Sequence, residues 1–348
     1  MSNRNAEEQR VITIRDVARE AGVSASTVSA VLGNRAGRLG IKAATCEKVV
    51  RAAAKLRYRR NDIAAQMKSG RRSSMLFLLS ESVDNILFGG LAAACAEAEN
   101  AGYFPKLLRV ETENHEELRR RLELVLRQCP AAILCWGDRS GDETYLRRVT
   151  EECSIPFVHF DYVSRSSRAY VRTDDPSGIR SGVEHLHMLG HRRFAHITDI
   201  MKAQYAEIRL RDYREALAEF GLELPENRVL SLGLNAPESG VRTFLERMRG
   251  EGVTAITCGS DYFALQALTV LQRDGVRVPE EMSILGYGDL GFACNCYPRL
   301  STIRQPQAEL GVCAVRMACR MIRGEPVTEP VLLPSELVLR ESAGPRTK

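Results

Sequence analysis

Apolar residues recur at two different periods along this chain, and the change from one to the other falls near residue 73. Ile14, Val17, Ala18 and Ala21 stand at i, i+3, i+4 and i+7, one apolar stripe of a short helix. Thr13 is placed to cap it, Asp16 to reach back three residues, and Ile12 to staple onto Val17. Gly22 suits the left-handed residue that ends a helix. Ser24 then opens a second helix, stapled by Val23 and Val28, whose inner stripe is Val28, Val31 and Leu32. Two short capped helices joined by Gly-Val-Ser read as a helix-turn-helix, with Ser26, Thr27 and Ser29 on the outer face of the second helix. A Gly-rich basic loop, Arg35 to Lys42, leads to a third helix over roughly Ala44 to Arg57 that buries Val49, Ala53 and Leu56. From Tyr58 to Arg72, Asn61 is a cap and Ile63, Ala64 and Met67 form a one-sided stripe. A helix that short is marginal alone in water and needs DNA or a second copy of itself to fold.

From Ser74 onward, short apolar runs alternate with amphipathic segments such as Glu116–Cys129. The first series is M-L-F-L-L-S, P-K-L-L-R-V, A-A-I-L-C-W and I-P-F-V-H-F. The second is F-A-H-I-T, R-V-L-S-L, T-A-I-T-C and S-I-L-G-Y. Strands alternating with helices predict a parallel, doubly wound α/β architecture. Two such sheets facing a cleft would receive a ligand at the carboxyl ends of their strands.

Composition sharpens the division. The chain has 348 residues, 44% of them hydrophobic, enough for two or three domains with sizeable cores. Its net charge of +5 hides an asymmetry: residues 1–72 hold 16 Lys and Arg against 6 Asp and Glu, a net of +10, whereas the remainder nets −5. A basic module on a mildly acidic body suits a polyanionic partner met by one end only. No apolar run approaches a membrane span and the first ten residues lack the apolar core of a signal peptide, so a cytoplasmic location is expected. Ten scattered cysteines, most in apolar context and none in a C-x-x-C, read as reduced, mostly buried thiols.

The stretch T-I-R-D-V-A-R-E-A-G-V-S-A-S-T-V-S, from Thr13 to Ser29, resembles the opening of the LacI/GalR family of bacterial transcriptional regulators. Glu184–Ile197, Arg209–Leu217, Leu300–Pro306 and Leu332–Ser342 are similar to later segments of that family, so the resemblance runs from about Ile12 to Ser342. It implies a helix-turn-helix DNA-binding domain over 11–58 and a hinge helix and linker over 59–73. Two doubly wound, periplasmic-binding-protein-like α/β subdomains around a cleft follow, one from 74–174 with 302–328 and the other from 175–301 with 329–343. The function implied is a ligand-responsive transcriptional regulator, a repressor for preference and not an enzyme. It would bind a near-palindromic DNA operator as a homodimer or dimer of dimers, with a sugar-like small molecule in the cleft as effector.

By the same resemblance, Thr13, Arg15, Ser24, Thr27 and Ser29 lie at the DNA phosphates, Ala25, Ser26 and Ala30 at base-reading positions, and Ile14 and Asn34 also belong to the DNA-binding set. Met67 would wedge the minor groove. Ala30 stands where the family usually has Arg and Gly33 where it has Asn, so an unusual operator is expected. The basic loop is a few residues longer than the family pattern, and Lys42 replaces the usual Ser cap of the third helix. Arg38 is assigned a phosphate contact. Effector contacts map to Asp84, Asn85, Phe88, Asp161, Asp174, Arg209 and Asp261. The family's Asp-Asp pair is Gly288-Asp289 here, leaving Asp289 to replace a lost carboxylate in part.

Three other patterns carry less. G-Y-G-D-L-G (Gly286–Gly291) fits a dinucleotide fingerprint letter for letter, but the F-A-C-N-C-Y-P after it cannot supply the helix that motif requires. His185, His187, His191 and His196 lack metal-ligand spacing and read as structural. No nucleophile–base motif is present; no cofactor, metal or catalytic residue is assigned. A sugar-binding protein or enzyme on the same cleft, and an architectural DNA-binding protein, are the other classes weighed.

Overall fold

The computed structural model describes residues 12–33, 36–56, 58, 75–80, 88–109, 115–136, 148, 150–161, 167–200, 204–233 and 236–346. The chain divides into two compact units, 1–72 and 73–348. The hinge-helix expectation, with Asn61 and Met67, falls outside the described residues, as do Asn34, Asp84 and Asn85.

The first unit contains α1 (Ile14–Ala21), α2 (Ala25–Leu32) and α3 (Ala43–Lys55). Asp16 Oδ2 accepts from both the backbone N–H (2.9 Å) and the hydroxyl (2.6 Å) of Thr13, closing the start of α1. Gly22 ends it at φ 67°, a left-handed conformation that a side chain would strain. Ser24 Oγ accepts from the Thr27 N–H at 3.1 Å and opens α2. The third helix starts at Lys42 with no side-chain cap, as the missing Ser foretold. Val17, Ala18, Val28, Val31, Val49, Ala52 and Ala53 are the buried core, with Leu56 packed at its edge.

The second unit is built on two six-stranded sheets. Its helices are α4 (Phe88–Asn100), α5 (His115–Leu126), α6 (Asp175–Met188), α7 (Gln204–Glu219), α8 (Glu238–Gly250), α9 (Asp261–Arg273) and α10 (Gln307–Ile322). The first sheet uses β1 (Met75–Ser80), β2 (Phe104–Arg109), β3 (Ala132–Trp136), β4 (Phe157–Phe160), β5 (Tyr170–Asp174) and β11 (Val331–Pro334), in the order 11-5-4-3-1-2 and parallel throughout. The second uses β6 (Phe194–Thr198), β7 (Val229–Ser231), β8 (Ala255–Cys258), β9 (Ser283–Gly288), β10 (Ser301–Arg304) and β12 (Glu336–Val338), in the order 12-10-9-8-6-7, with β12 antiparallel. Helices cover both faces of each sheet, as near-continuous apolar strands require. Leu91 and Ala94 of α4 and Leu310 and Ala314 of α10 pack on one face of the first sheet, and Leu122 and Val125 of α5 on the other.

The chain passes between the sheets after Asp174, at Gln305 and at Ser335. The later two differ from the expected bounds: strand 301–304 pairs in the second sheet rather than opening the return to the first, and 331–334 pairs with β5 in the first. Side chains knit the passages together. Ser335 Oγ donates to the Asp174 carbonyl (2.7 Å) and accepts from Gly178 N–H (3.1 Å), while Gln305 Nε2 donates to Asp161 Oδ1 (3.3 Å) and Thr173 Oγ1 (3.2 Å).

Helices α4 and α10 approach closely because Gly311 has no side chain; a methyl there would overlap the Gly90 carbonyl oxygen. Gly→Ala in a helix interior gains ~1 kcal/mol of propensity, whereas overpacking costs about 1–3 kcal/mol or more, so the overlap wins. Gly311→Ala is therefore expected to lower the thermal midpoint by several degrees. Gly240→Ala, in α8 with open space around it, is the control and should be neutral or stabilising. Equal midpoints for the two variants would contradict this packing.

Candidate DNA interface and effector site

On the first unit, Thr13, Arg15, Ser24 and Ser26 are exposed at the N-terminal ends of α1 and α2, where unpaired backbone N–H groups favour phosphate. Ser24 Oγ lies 2.7 Å from Ser26 Oγ and 2.8 Å from Thr27 Oγ1, so the three hydroxyls form one cluster at the start of α2. Ile14 and Ala25 are half-buried against the core. Ala30, expected on the base-reading face, is instead 3% exposed. Its methyl is buried, although outside the apolar cluster that holds Val28 and Val31. The outer surface of α2 thus carries Ser26, Thr27 and Ser29 and no charged side chain. Cations lie elsewhere on the unit: Arg19, Lys48, Arg51 and Lys55 line a shallow depression of about 450 Å³ between α1 and α3, where Lys55 pairs with Glu20 at 2.6 Å.

On the second unit, the described effector candidates collect at the carboxyl ends of the strands, but in two separate settings. In the first, Arg209 is 6% exposed; its Nε reaches Asp175 Oδ1 at 3.3 Å, its Nη1 donates to the Gly259 carbonyl at 2.8 Å, and its guanidinium lies 3.8 Å from the Tyr287 ring centroid. The Tyr287 hydroxyl also donates to Asp175 Oδ1. Arg209, assigned an effector contact by resemblance, is therefore held in place by a neighbouring carboxylate and a backbone carbonyl. Sequence reasoning passed over Asp175 and Tyr287; the Asp-Asp-Pro at the start of α6 was the available signal. Asp174 makes no side-chain cap bond to that helix, so capping does not explain it. Asp161 sits just beyond β4 at φ 57°, and burial pushes its carboxyl up to about 6, opposed by Arg209 and reinforced by Asp175.

The second setting is closed on itself. Asp261 is fully buried; its oxygens accept from Thr302 Oγ1 (2.6 Å) and the Leu290 N–H (2.7 Å), and burial raises its carboxyl to about 6. Asp289, assigned a part in replacing the lost carboxylate, is held by two cations. Arg304 Nε holds one of its oxygens at 2.7 Å and Arg340 Nη2 the other at 2.6 Å. Gly288 has φ 125°, a conformation that strains any residue with a Cβ. Phe88 opens α4, but its side chain is outside the described residues.

Three of the four clustered histidines have partners within the fold. His191 bonds Thr254 and the Gly344 carbonyl, His187 stacks on Phe220, and buried His196 bonds Thr257. Among the described residues no three ligating side chains gather into a metal site. Residues after Gly288 form turns and no helix, so the glycine-rich stretch is not a dinucleotide site. The cysteines are free; Cys135, Cys258 and Cys319 are buried, while Cys129, Cys153 and Cys294 are exposed.

The Asp161 environment gives a signed pH expectation. Its folded value of about 6 lies above the ~3.9 of an unfolded Asp, so between these values the folded chain takes up a proton that the unfolded chain does not. Its contribution to stability is fully present below pH ~4 and is lost as pH rises through about 6. His196 acts oppositely: burial lowers it to about 3, so its contribution is lost as pH falls from ~6.5. Comparing wild type with Asp161→Asn isolates the first effect. Urea unfolding at pH 7 and pH 5 should show wild type gaining on the variant at the lower pH; parallel behaviour would contradict it.

Comparison with known proteins decides the family. Residues 13–61 match the bacterial regulatory proteins of the lacI family, and residues 183–343 match a periplasmic binding protein-like domain. The HTH-type transcriptional regulator CelR of Thermobifida fusca is 30% identical over 346 residues, 97% of this chain and 99% of that protein. This chain belongs to the LacI family. Another LacI-family relative, the ribose operon repressor of Haemophilus influenzae, is 29% identical over 335 residues, 95% of this chain and 98% of that protein. The crystal structure of the lac repressor dimer bound to operator and the anti-inducer ONPF superposes with a TM-score of 0.84 at 26% identity, covering 96% of this chain and all of that one. The CelR–cellobiose complex gives a TM-score of 0.68 at 28% identity, covering 95% and 99%. The protein is thus a DNA-binding transcriptional regulator of the LacI family and not an enzyme.

Proposed function

We propose that this LacI-family regulator represses transcription from the cytoplasm, as a homodimer whose two helix-turn-helix units read the halves of a near-palindromic operator. A neutral, sugar-like small molecule would be the effector, received at the carboxyl ends of the strands by Asp161 and Asp174. Arg209 would act there mainly as a fixed wall. The observation that carries this reading is the pairing of a separately cored, basic helix-turn-helix unit with a body whose two sheets are joined by three passages. The hydrogen-bonded passages at Gln305 and Ser335 let a ligand that favours one arrangement of the sheets shift the whole body. Coupling between effector and operator is then reciprocal.

That no helix among the described residues is long and apolar enough to cross a membrane accords with this placement. The test is thermal stability of the intact protein against sugars, sugar acids, sugar phosphates and purines. A ligand at ~100 times its dissociation constant adds ~2.7 kcal/mol to the state it binds. A neutral sugar that raises the midpoint and alters DNA affinity supports the proposal. Stabilisation by sugar acids or phosphates alone would refute its chemistry, because Arg209 is already matched by Asp175.

A further inference from the structure

Helix α2 leaves this regulator short of readers. Ala30 is buried, and the exposed or half-exposed side chains that remain are small hydroxyls, the Ala25 methyl and Leu32, which packs against the core. Yet a reading helix in the major groove needs contacts that tell one base from another. The turn that follows offers one. Residues Gly37–Leu39 form a short 3₁₀ turn closed by hydrogen bonds from the Leu39 (3.2 Å) and Ile41 (3.0 Å) N–H groups to the Ala36 carbonyl. Gly40 completes it at φ 65°. Ala36 and Ile41 pack against the core of the unit and pin both ends, so Arg38 is presented to solvent and Leu39 is left 64% exposed.

Position and chemistry suggest what meets them. An eight-residue helix is about 12 Å long, close to the ~12 Å width of the major groove. With the N-terminal residues of α2 at the base edges, the turn beyond its C-terminal end lies toward the groove wall. Leu39 can make no hydrogen bond, and the apolar feature that bases present in that groove is the thymine 5-methyl group. A cation beside it suits the adjacent phosphate.

We propose that the 36–41 turn is a second reading element, in which Leu39 packs on the 5-methyl group of a thymine at the flank of each half-site while Arg38 holds the neighbouring phosphate. The proposal rests on operator reading by the N-terminal unit. The test therefore begins with the duplex that the intact protein selects from a random pool, and each thymidine in it is replaced in turn by deoxyuridine. Removing one buried methyl should weaken binding about fourfold per half-site at one symmetry-related pair of positions. Leu39→Ala should show the same loss on the thymidine duplex and no further loss on the deoxyuridine one. Leu39→Met should keep the preference. Arg38→Ala should weaken both duplexes alike and flatten the salt dependence. If no deoxyuridine position discriminates, or if Leu39→Ala keeps the wild-type thymidine preference, the second reading element is wrong although operator reading stands. If the intact protein selects no motif, both fail together.

Discussion

Arg209→Ala is expected to destabilise the body by roughly 3–5 kcal/mol, the range for removing one partner of a buried ion pair. The guanidinium and the Asp175 carboxylate are both buried, and losing the cation leaves that carboxylate with the Tyr287 hydroxyl and without its directly paired counter-charge. The Gly259 carbonyl loses its donor and the Tyr287 ring its stacked partner. Asp175→Asn in the same chain removes the uncompensated charge, so the double variant should recover part of the loss. Urea unfolding of the three proteins measures this. A single variant as stable as wild type would mean that the guanidinium is held for a ligand and not for the fold. Any loss of effector response in Arg209→Ala must be read against this stability change, which makes Asp161 the cleaner probe of the effector site.

Removing residues 1–72 is expected to reduce binding to the selected duplex by roughly a thousandfold or more, the usual gap between specific and residual binding. The net charge of the chain falls from +5 to −5 with that deletion, and the helix-turn-helix goes with it. The remaining body keeps both sheets and four buried apolar clusters of its own. Ligand binding, followed by thermal shift, should survive. Fluorescence anisotropy with a labelled duplex reads the first expectation. A truncated body that still bound the duplex specifically would place the DNA-reading surface elsewhere.

Much of this organisation was legible in the sequence because it is local. Capping at Thr13 and Ser24, the left-handed Gly22 and the inner stripes of α1 and α2 are each set within a few residues, and all are found. The eight apolar runs became strands for the same reason. What was not legible depends on distant pairing. The short polar strand β5 alternates buried and half-exposed residues and carries little apolar signal. The swap of 301–304 and 331–334 between sheets appears only once their neighbours are known. The site shows the same limit. Asp261 and Asp289 look available in sequence, yet the residues that hold them are distant in it: Thr302 and Arg304 come from β10, and Arg340 from the segment after β12. Ala30 was placed outward by resemblance, and its burial, outside the apolar cluster of the three helices, is set by the tertiary surroundings of α2 rather than by its local pattern.

The most direct measurement of the central claim is selection from a pool of randomised duplexes by the intact protein. The account predicts enrichment of a near-palindrome with two half-sites, bound with an affinity that falls steeply as salt rises. Recovery of no motif, or of a single unrepeated half-site, would contradict a dimeric operator-reading regulator.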